Sequence, residues 1–158
     1  MILFTSLRAQ VNWMSFEEVE RAWEKEPRPI LIDLYTDWCG WCKRMDKATY
    51  SDERVIAYIN QKYYAVKYNA ESKTPVILNA KQYKYNAQYR ANDLAIYLTG
   101  GQLQYPTTVF LSSPAAQPAP LAGYMVPKDI EAPLKFFGEK KEKAMNYQAF
   151  SAKLKKEW

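Results

Sequence analysis

Two cysteines three positions apart constrain this chain more than any other feature of its sequence. Cys39 and Cys42 are its only cysteines, and they lie in the stretch "YTDWCGWCKRMD". One helical turn brings side chains at this spacing to the same side, where two sulfurs can close a small disulfide ring. The pair therefore predicts a helix that begins close to Cys39.

A cysteine at the start of a helix ionises easily. Unpaired main-chain N–H groups and the helix macrodipole favour an anion there, and can lower the pKa of a thiol from about 8.5 to between about 3.5 and 7.5. Cys39 stands where this effect is greatest, so we expect it to be the nucleophile. Cys42, one turn into the helix and expected to be less exposed, would be the resolving thiol that releases the substrate.

Other interpretations of the cysteine pair depend on further ligands. Covalent haem attachment requires a histidine after the second cysteine, but residue 43 is lysine and the chain has no histidine. A structural zinc site usually needs four cysteine or histidine ligands, so we expect no metal and no cofactor beyond a redox-active Cys39–Cys42 disulfide. A purely structural disulfide remains an alternative, although so short a ring constrains the unfolded chain little.

Length and composition indicate one packed domain. The chain has 158 residues, of which 48% are hydrophobic and 25% charged, enough for a sizeable core without a disulfide. Much of the net charge of +5 lies in residues 135–158, which hold seven lysines and three glutamates. This stretch either binds an acidic partner or forms the solvated face of a terminal helix. We expect the solvated face and no nucleic-acid partner, because no RNA-binding motif accompanies it.

The first residues resemble the end of an export signal. "MILFTSLRAQ" contains a short apolar run followed by "RAQ", but it lacks the basic start and the length of a complete signal. We interpret residues 1–14 as a signal-peptide remnant or an N-terminal extension, and residues 15–158 as a single domain. Export is expected, and a cytoplasmic protein is the alternative. We expect no integral membrane segment, since no stretch reaches roughly 18 consecutive apolar residues.

Hydrophobic periodicity predicts alternating helices and strands. Ser15 and Glu18 form a capping box that begins a helix over 15–26. "PILIDLY", residues 29–35, is a nearly continuous apolar run, typical of a strand covered on both faces. We further expect helices from Cys39 and from Ser51–Asp52, strands over 63–69 and in "PTTVFLS" with "PLAGYM", a hairpin turning near Asn79 and Ala80, a helix over 92–99, and a terminal helix carrying Tyr147, Phe150, Leu154 and Trp158. This order predicts a mixed sheet with helices on both faces.

The stretch "ILIDLYTDWCGWCK" closely resembles the active-site strand and loop of the thioredoxin-fold disulfide oxidoreductases. The resemblance covers about residues 15–137: "QYPTTVFLS" is similar to the family's cis-proline strand, and Gly123 matches the glycine on the following strand. It implies an α/β thioredoxin fold with a central mixed β-sheet flanked by helices, a hairpin-like segment inserted before the cis-proline strand, and a C-terminal helix. Bacterial thioredoxin-like proteins with "WCGWCK" are most similar and often carry an export signal, which implies a periplasmic location.

The resemblance implies roles for residues around the pair. Asp33 matches the buried acid that assists proton transfer from the resolving cysteine, and burial would raise its pKa. Lys67 matches the lysine that pairs with this acid. The alternatives are a surface aspartate at a strand edge and a solvent-facing lysine. A cis bond between Tyr105 and Pro106 is implied, which would leave the Tyr105 main chain free to pair with an extended substrate.

Residues next to the cysteines are candidates for substrate binding. Trp38 and Trp41, with Gly40 between them, would form an apolar rim, unless the tryptophans are packing residues. Trp38 matches the family, whereas thioredoxin itself has proline at the position of Trp41. The dipeptide between the cysteines alters the balance of thiolate and disulfide, so reductant, oxidant and isomerase remain open.

The segment before Pro106 is longer than the minimal fold requires, since Pro106 lies 64 positions after Cys42. The excess falls in residues 71–90, "ESKTPVILNAKQYKYNAQYR", which contain a cluster of tyrosines at 83, 85 and 89. This insertion is either a partner-recognition hairpin near the active site or a surface segment that covers a sheet edge.

Together these features predict a thiol:disulfide oxidoreductase that acts by dithiol/disulfide exchange, as a protein disulfide reductase or isomerase. Its expected partners are disulfide-containing protein substrates and a redox protein that donates or accepts electrons, and we expect a monomer. The alternative is a thioredoxin-fold binding module whose cysteine pair is structural or vestigial. Cysteine-dependent turnover would distinguish the two.

Overall fold

A computed structural model describes residues 8–158, which form six α-helices, one 3-10 helix and eight strands. The helices are α1 (Phe16–Lys25), α2 (Gly40–Ala48), α3 (Glu53–Lys62), α4 (Asp93–Thr99), α5 (Pro127–Gly138), the 3-10 helix (Lys141–Lys143) and α6 (Tyr147–Lys153). The strands are β1 (Ile30–Tyr35), β2 (Tyr64–Asn69), β3 (Val76–Leu78), β4 (Lys81–Tyr83), β5 (Tyr85–Asn86), β6 (Ala91–Asn92), β7 (Thr107–Leu111) and β8 (Ala119–Ala122).

Residues before position 15, where the sequence analysis placed the start of the domain, are packed against it. Residues 1–7 of the proposed signal-peptide remnant lie outside the described residues. Val11 is buried, Trp13 forms a parallel bridge with Ala65, and the main-chain N–H of Met14 donates to the Ala65 carbonyl at 2.8 Å. The packing thus includes residues that precede the predicted domain start at residue 15.

Four strands form the central mixed sheet, in the order β2-β1-β7-β8. β1 and β2 are parallel, whereas β7 is antiparallel to β1 and β8 is antiparallel to β7. β1 is therefore an interior strand, and all of its residues except the last are buried. This explains why its sequence is an almost unbroken apolar run.

Helices cover both faces of the sheet, as the sequence predicted. On one face α1 and α4 pack on the strands, and the core there includes Val19, Ile32, Leu98 and Val109. On the other face α2, α3 and α5 enclose a second core, which includes Leu31, Met45, Ile59, Phe110 and Leu134. Since side chains alternate along a strand, Asp33 shares the second face with Leu31.

The predicted helix starts are formed by side-chain caps. Ser15 accepts a hydrogen bond from the main-chain N–H of Glu18, whose carboxylate accepts one from the N–H of Ser15. Asp52 caps α3 and Asn92 caps α4 in the same manner. α4 ends at Gly100, which has a φ of 62° and takes the left-handed conformation that glycine adopts most easily.

The C-terminal region differs from the prediction of one helix that continues to Trp158. The chain instead forms α5, the 3-10 helix and the short α6, and residues 154–158 are not helical. The sequence did not reveal α5, because Pro127 begins it and Pro133 lies inside it. Proline suits the first turn of a helix but is normally evidence against a helix interior.

A buried carboxylate ties the end of the chain to α5. Glu131 is fully buried, and it accepts hydrogen bonds from Lys135 at 2.8 Å and from the main-chain N–H groups of Glu157 and Trp158. Burial alone would raise the pKa of Glu131, but these hydrogen bonds outweigh it and lower the pKa. The Trp158 ring also meets the ring of Tyr58 edge-on. The last residues therefore lie along α5 rather than continuing α6.

The inserted residues 71–90 begin with a hairpin that packs on the body of the domain. β3 and β4 pair antiparallel, and Leu78 and Tyr83 are buried in the core beneath α1 and α4. Tyr83 also stacks on Tyr97 of α4, and Glu20 of α1 accepts a hydrogen bond from the turn. The hairpin thus packs against α1 and α4 on one face of the domain.

The hairpin turn generates a prediction about stability. Asn79 and Ala80 both have positive φ angles, 51° and 61°, as a two-residue turn of this type requires. The left-handed conformation strains an alanine by about 1 to 2 kcal/mol, while glycine adds only about 0.4 to 1 kcal/mol of unfolded-state entropy. We expect Ala80→Gly to raise the free energy of unfolding by up to about 1 kcal/mol in urea denaturation.

A matched control is the same substitution in a helix. Ala57 is exposed in the middle of α3, so Ala57→Gly should lower the free energy of unfolding by about 1 kcal/mol. If Ala80→Gly destabilised the protein as Ala57→Gly does, the left-handed turn would be refuted.

Candidate active site

The two cysteines form a disulfide at the beginning of α2. Cys39 is the N-cap residue of the helix and Cys42 lies in its first turn, with their Cα atoms 5.3 Å apart. The main-chain N–H of Cys42 donates a hydrogen bond to Sγ of Cys39 at 3.1 Å. The helix start predicted from the spacing is confirmed, and a main-chain N–H faces the Cys39 sulfur.

The exposure of the two cysteines does not differ as the sequence predicted. Each is 4% exposed, so burial does not distinguish a nucleophile from a resolving thiol. The surface beside them is nevertheless open: a Cβ on Gly40 would meet no atom within 4 Å. Trp38 and Trp41 are 66% and 54% exposed, which excludes the alternative that they are core packing residues.

Trp38 forms part of a groove next to Cys39. Its indole N–H donates to the carboxylate of Glu71 at 3.0 Å, and its ring meets that of Tyr105 edge-on at 5.9 Å. The groove has a volume of about 650 Å³, and Tyr89 and Leu103 also line it. Because Glu71 and Tyr89 belong to the insertion, both ends of that segment border the site.

The loop that contains Pro106 forms another side of the site. The Tyr105–Pro106 peptide bond is cis, and within residues 8–158 the N–H and C=O groups of Tyr105 make no main-chain hydrogen bond. Gly123, with a φ of 113°, donates its N–H to the Pro106 carbonyl at 2.9 Å. The next residue, Tyr124, packs against the ring of Trp41 at 5.2 Å. Trp38, Tyr105, Pro106 and Gly123, which match the family, and Trp41, which does not, thus lie around one surface.

Asp33 lies in the core that α2 covers, and it is paired with Lys67. It is 2% exposed, and Lys67 donates to its Oδ2 atom at 2.7 Å. Lys67 also donates to Asp46 at 2.7 Å, and its ammonium group lies over the rings of Tyr35 and Trp13. The aspartate is not at the surface, and the lysine is held by two carboxylates rather than one.

Burial sets the protonation behaviour of this cluster. Loss of solvation raises the pKa of Asp33 from 3.8 to about 6, against the opposing effect of the Lys67 ammonium group. Burial alone would lower the pKa of Lys67, but Asp33 and Asp46 together raise it. Lys67 therefore remains a cation while Asp33 titrates within reach of neutral pH, as a group that exchanges protons must.

Two residues of this site were not predicted from the sequence. Asp46 lies four positions after Cys42, so the helical period could have placed it on the same side of α2. Glu71 gave no comparable signal, because its contact with Trp38 depends on how the insertion folds back.

The described part of the chain lacks a metal-binding cluster and a membrane-spanning helix. Residues 8–158 contain no group of three or more histidine, cysteine, aspartate or glutamate side chains that could hold a metal ion. Over the same residues, no helix is both long enough and apolar enough to cross a membrane.

The raised pKa of Asp33 predicts a pH-dependent loss of stability. Between pH 4 and 6 the folded state keeps the Asp33 proton while the unfolded state releases it, so stability falls as pH rises through this window. We expect the unfolding free energy of the oxidised wild type, relative to Asp33→Asn, to fall by about 2 to 3 kcal/mol. Denaturation curves across pH 3.5–7.5 would measure the difference.

Asp52 provides a control of opposite sign. Its pKa is lowered, chiefly by the hydrogen bond from Arg54, so its contribution is present above its unfolded pKa and is lost as pH falls. The unfolding free energy of the wild type, relative to that of Asp52→Asn, should therefore rise with pH. If the unfolding free energies of the wild type and Asp33→Asn changed in parallel with pH, the raised pKa of Asp33 would be contradicted.

Curated relatives align with only part of this chain. The thiol:disulfide interchange protein DsbD of Pectobacterium atrosepticum is 39% identical over 44 residues, which are 28% of this chain and 8% of the relative. DsbD of Campylobacter jejuni is 27% identical over 100 residues, 63% of this chain and 17% of the relative. The chain thus spans less than a fifth of the length of these relatives.

Solved structures share the architecture. A thioredoxin-fold protein from Helicobacter pylori is 17% identical, with a TM-score of 0.59 over 80% of each chain. A structure named DsbH oxidoreductase is 15% identical, with a TM-score of 0.58 over 83% of this chain and 86% of that one. A thioredoxin from Thermus thermophilus is 16% identical, with a TM-score of 0.58 over 80% and 85%. These likenesses confirm the predicted thioredoxin fold.

A family model matches nearly the whole chain. It is Thioredox_DsbH, described as a protein of unknown function, DUF255, and the match covers residues 2–156. It therefore spans the cysteine pair, the buried acid, the insertion and the cis-proline strand. By this match, this protein belongs to the Thioredox_DsbH family.

Proposed function

We propose that this protein is a thiol:disulfide oxidoreductase that acts by dithiol/disulfide exchange through Cys39 and Cys42. The observation that carries the proposal is the disulfide at the N-terminus of α2, next to a core that buries an acid whose pKa is about 6. The matching DsbD proteins are named thiol:disulfide interchange proteins, which supports the same chemistry.

The exchange uses each cysteine once in every cycle. The Cys39 thiolate attacks a substrate disulfide, so that one substrate sulfur leaves as a thiolate, which solvent protonates, and a mixed disulfide forms. Cys42 transfers its proton to Asp33 and attacks Sγ of Cys39, which releases the second substrate sulfur as a thiolate. Solvent protonates this thiolate, and Asp33 returns its proton to solvent. The substrate gains two electrons and two protons, while the Cys39–Cys42 disulfide forms. The reverse sequence oxidises a dithiol.

The electrostatics around Cys39 favour its thiolate. Cys39 caps the N-terminus of α2, whose first turn contains no acidic residue, and Lys43 and Arg44 follow Cys42 directly. The main-chain N–H of Cys42, which donates to Sγ of Cys39, and the positive end of the helix stabilise a negative sulfur. The proposed nucleophile is therefore distinguished by its place on the helix, since the two cysteines are equally buried.

The surface around the pair suits an extended polypeptide. The main chain of Tyr105, which makes no main-chain hydrogen bond within residues 8–158, can pair with a substrate segment next to Pro106 in the manner of strand addition. Trp38 and Trp41 provide exposed apolar area on either side of Gly40. We therefore propose disulfide-containing proteins as substrates, bound chiefly through the main chain and so with tolerance of sequence.

More specifically, we propose a reductase or isomerase that works as a monomer in the periplasm. An electron-donating protein would reduce its Cys39–Cys42 disulfide after each cycle. The N-terminal sequence pattern supports export. A measured reduction potential would separate the directions, because each 30 mV corresponds to about 1.4 kcal/mol between oxidised and reduced forms. A potential as oxidising as that of a dedicated oxidant would exclude the reductase.

Substitution of each cysteine tests the proposed exchange. With insulin as the disulfide substrate and dithiothreitol as the electron donor, Cys39→Ser should reduce turnover to the rate of dithiothreitol alone, because no nucleophile remains. Turbidity of the released insulin chains measures the rate.

Cys42→Ser is the matched control, because it makes the same chemical change three residues away. It should retain the attack by Cys39 and accumulate a mixed disulfide with insulin, which mass spectrometry detects and excess dithiothreitol dissolves. If folded Cys39→Ser and the wild type reduced insulin at the same rate, turnover would not depend on Cys39. That result would reject the exchange and favour a binding module with a structural disulfide.

A further inference from the structure

Two buried hydroxyl groups lie next to Asp33, and the exchange reaction as described does not use them. Tyr50, which follows α2, is 6% exposed, and Thr108 on β7 is fully buried. Among residues 8–158, neither hydroxyl has a hydrogen-bond partner of acceptable geometry. Native proteins leave few buried polar groups unpaired, so two of them at one place require a physical reason.

Strand register places Thr108 opposite Asp33, and Tyr50 packs in the core on the same face of the sheet. Thr108 is directly opposite Asp33 in the antiparallel β1–β7 ladder, so the two side chains share a face with Cβ atoms about 5 Å apart. Tyr50 packs in the core on this face, and its ring meets Trp13 edge-on at 5.3 Å. Burial raises the pKa of Tyr50 most strongly, and the nearby charge of Asp33 raises it further.

The carboxylate of Asp33 has an oxygen atom that could accept hydrogen bonds from these hydroxyls. Lys67 donates to Oδ2, whereas no hydrogen bond within the described chain reaches Oδ1. An ionised carboxylate only accepts hydrogen bonds, and a buried hydroxyl without a partner gains one when its side chain shifts toward such an acceptor. The other charged groups that face this cluster are Lys67 from β2 and Asp46 from α2, and they already pair with each other.

We propose that Tyr50 and Thr108 are positioning residues for Asp33, whose hydroxyls donate to its carboxylate when it ionises and so set the pH at which it accepts a proton. For its place in the reaction, this inference rests on the proposed function. When Cys42 is deprotonated, its S–H bond breaks and an O–H bond forms on Asp33. The protons of Tyr50 and Thr108 remain on their own oxygen atoms throughout.

The test is the titration of the Asp33 carboxyl carbon, followed by NMR in the oxidised protein. Asp33→Asn removes the signal and so assigns it. Loss of a donor disfavours the ionised form, so Tyr50→Phe and Thr108→Val should each raise the midpoint by about one pH unit. A substitution that affected only packing would leave this midpoint in place.

Tyr68→Phe is the matched control. Tyr68 is a second buried tyrosine whose hydroxyl has no partner within residues 8–158, but it lies in the opposite core, under α1 and α4. A higher midpoint in Tyr50→Phe than in Tyr68→Phe supports the proposal. An unchanged midpoint in Tyr50→Phe, or an equal shift in Tyr68→Phe, overturns it. If Tyr50→Phe does not fold, Thr108→Val is judged by the same two outcomes.

The titration separates this inference from the proposed function, because it uses the disulfide form without substrate or turnover. A shift in Tyr50→Phe together with full turnover in Cys39→Ser would retain the hydroxyl cluster and reject the exchange reaction. An unshifted midpoint together with the expected cysteine results would retain the reaction and reject the roles of Tyr50 and Thr108.

Discussion

A carboxylate inside a sheet is tolerated only where a cation or hydrogen-bond donors meet it, and Lys67 does this for Asp33. The pairing depends on register, since Asp33 of β1 lies opposite Lys67 of β2 in the parallel ladder. A shift of one residue would move Asp33 into the core beneath α1 and α4, away from α2. Lys67 in turn extends to Asp46, so the same cation links the central strand to the helix that carries the cysteines.

The fold places the two proposed reacting sulfurs in different electrostatic environments. Cys39 stands at the positive end of α2, where a thiolate is stabilised, whereas Cys42 lies in the first turn, three positions before Met45 of the second core. A thiol at the start of a helix loses its proton more easily than one within the helix, so the two positions can divide the roles of nucleophile and resolving thiol between them. The division does not need a difference in burial, and the two cysteines show none.

The predictable parts of this protein were those encoded by local patterns. The apolar run of β1, the caps at Ser15, Asp52 and Asn92, and the cysteine spacing each determine structure within a few residues. Helix α5 was missed because two prolines obscure its period, and the chain end was misassigned because Glu131 holds it from a distant position. Contacts such as Trp38 with Glu71 join residues far apart in sequence, and no local pattern predicts them.

The insertion connects the surface beside the cysteines to the opposite side of the domain. Its hairpin is anchored on α1 by the burial of Leu78 and Tyr83, while Glu71 at its start holds Trp38 and Tyr89 near its end lines the same groove. Because burial fixes the middle of the segment, its two ends have little freedom to move apart. The shape of the groove therefore depends on the packing of the hairpin as well as on the segment between β1 and α2 that contains Trp38. Under the proposed function, a segment that the minimal fold does not require would influence which extended substrates reach Cys39.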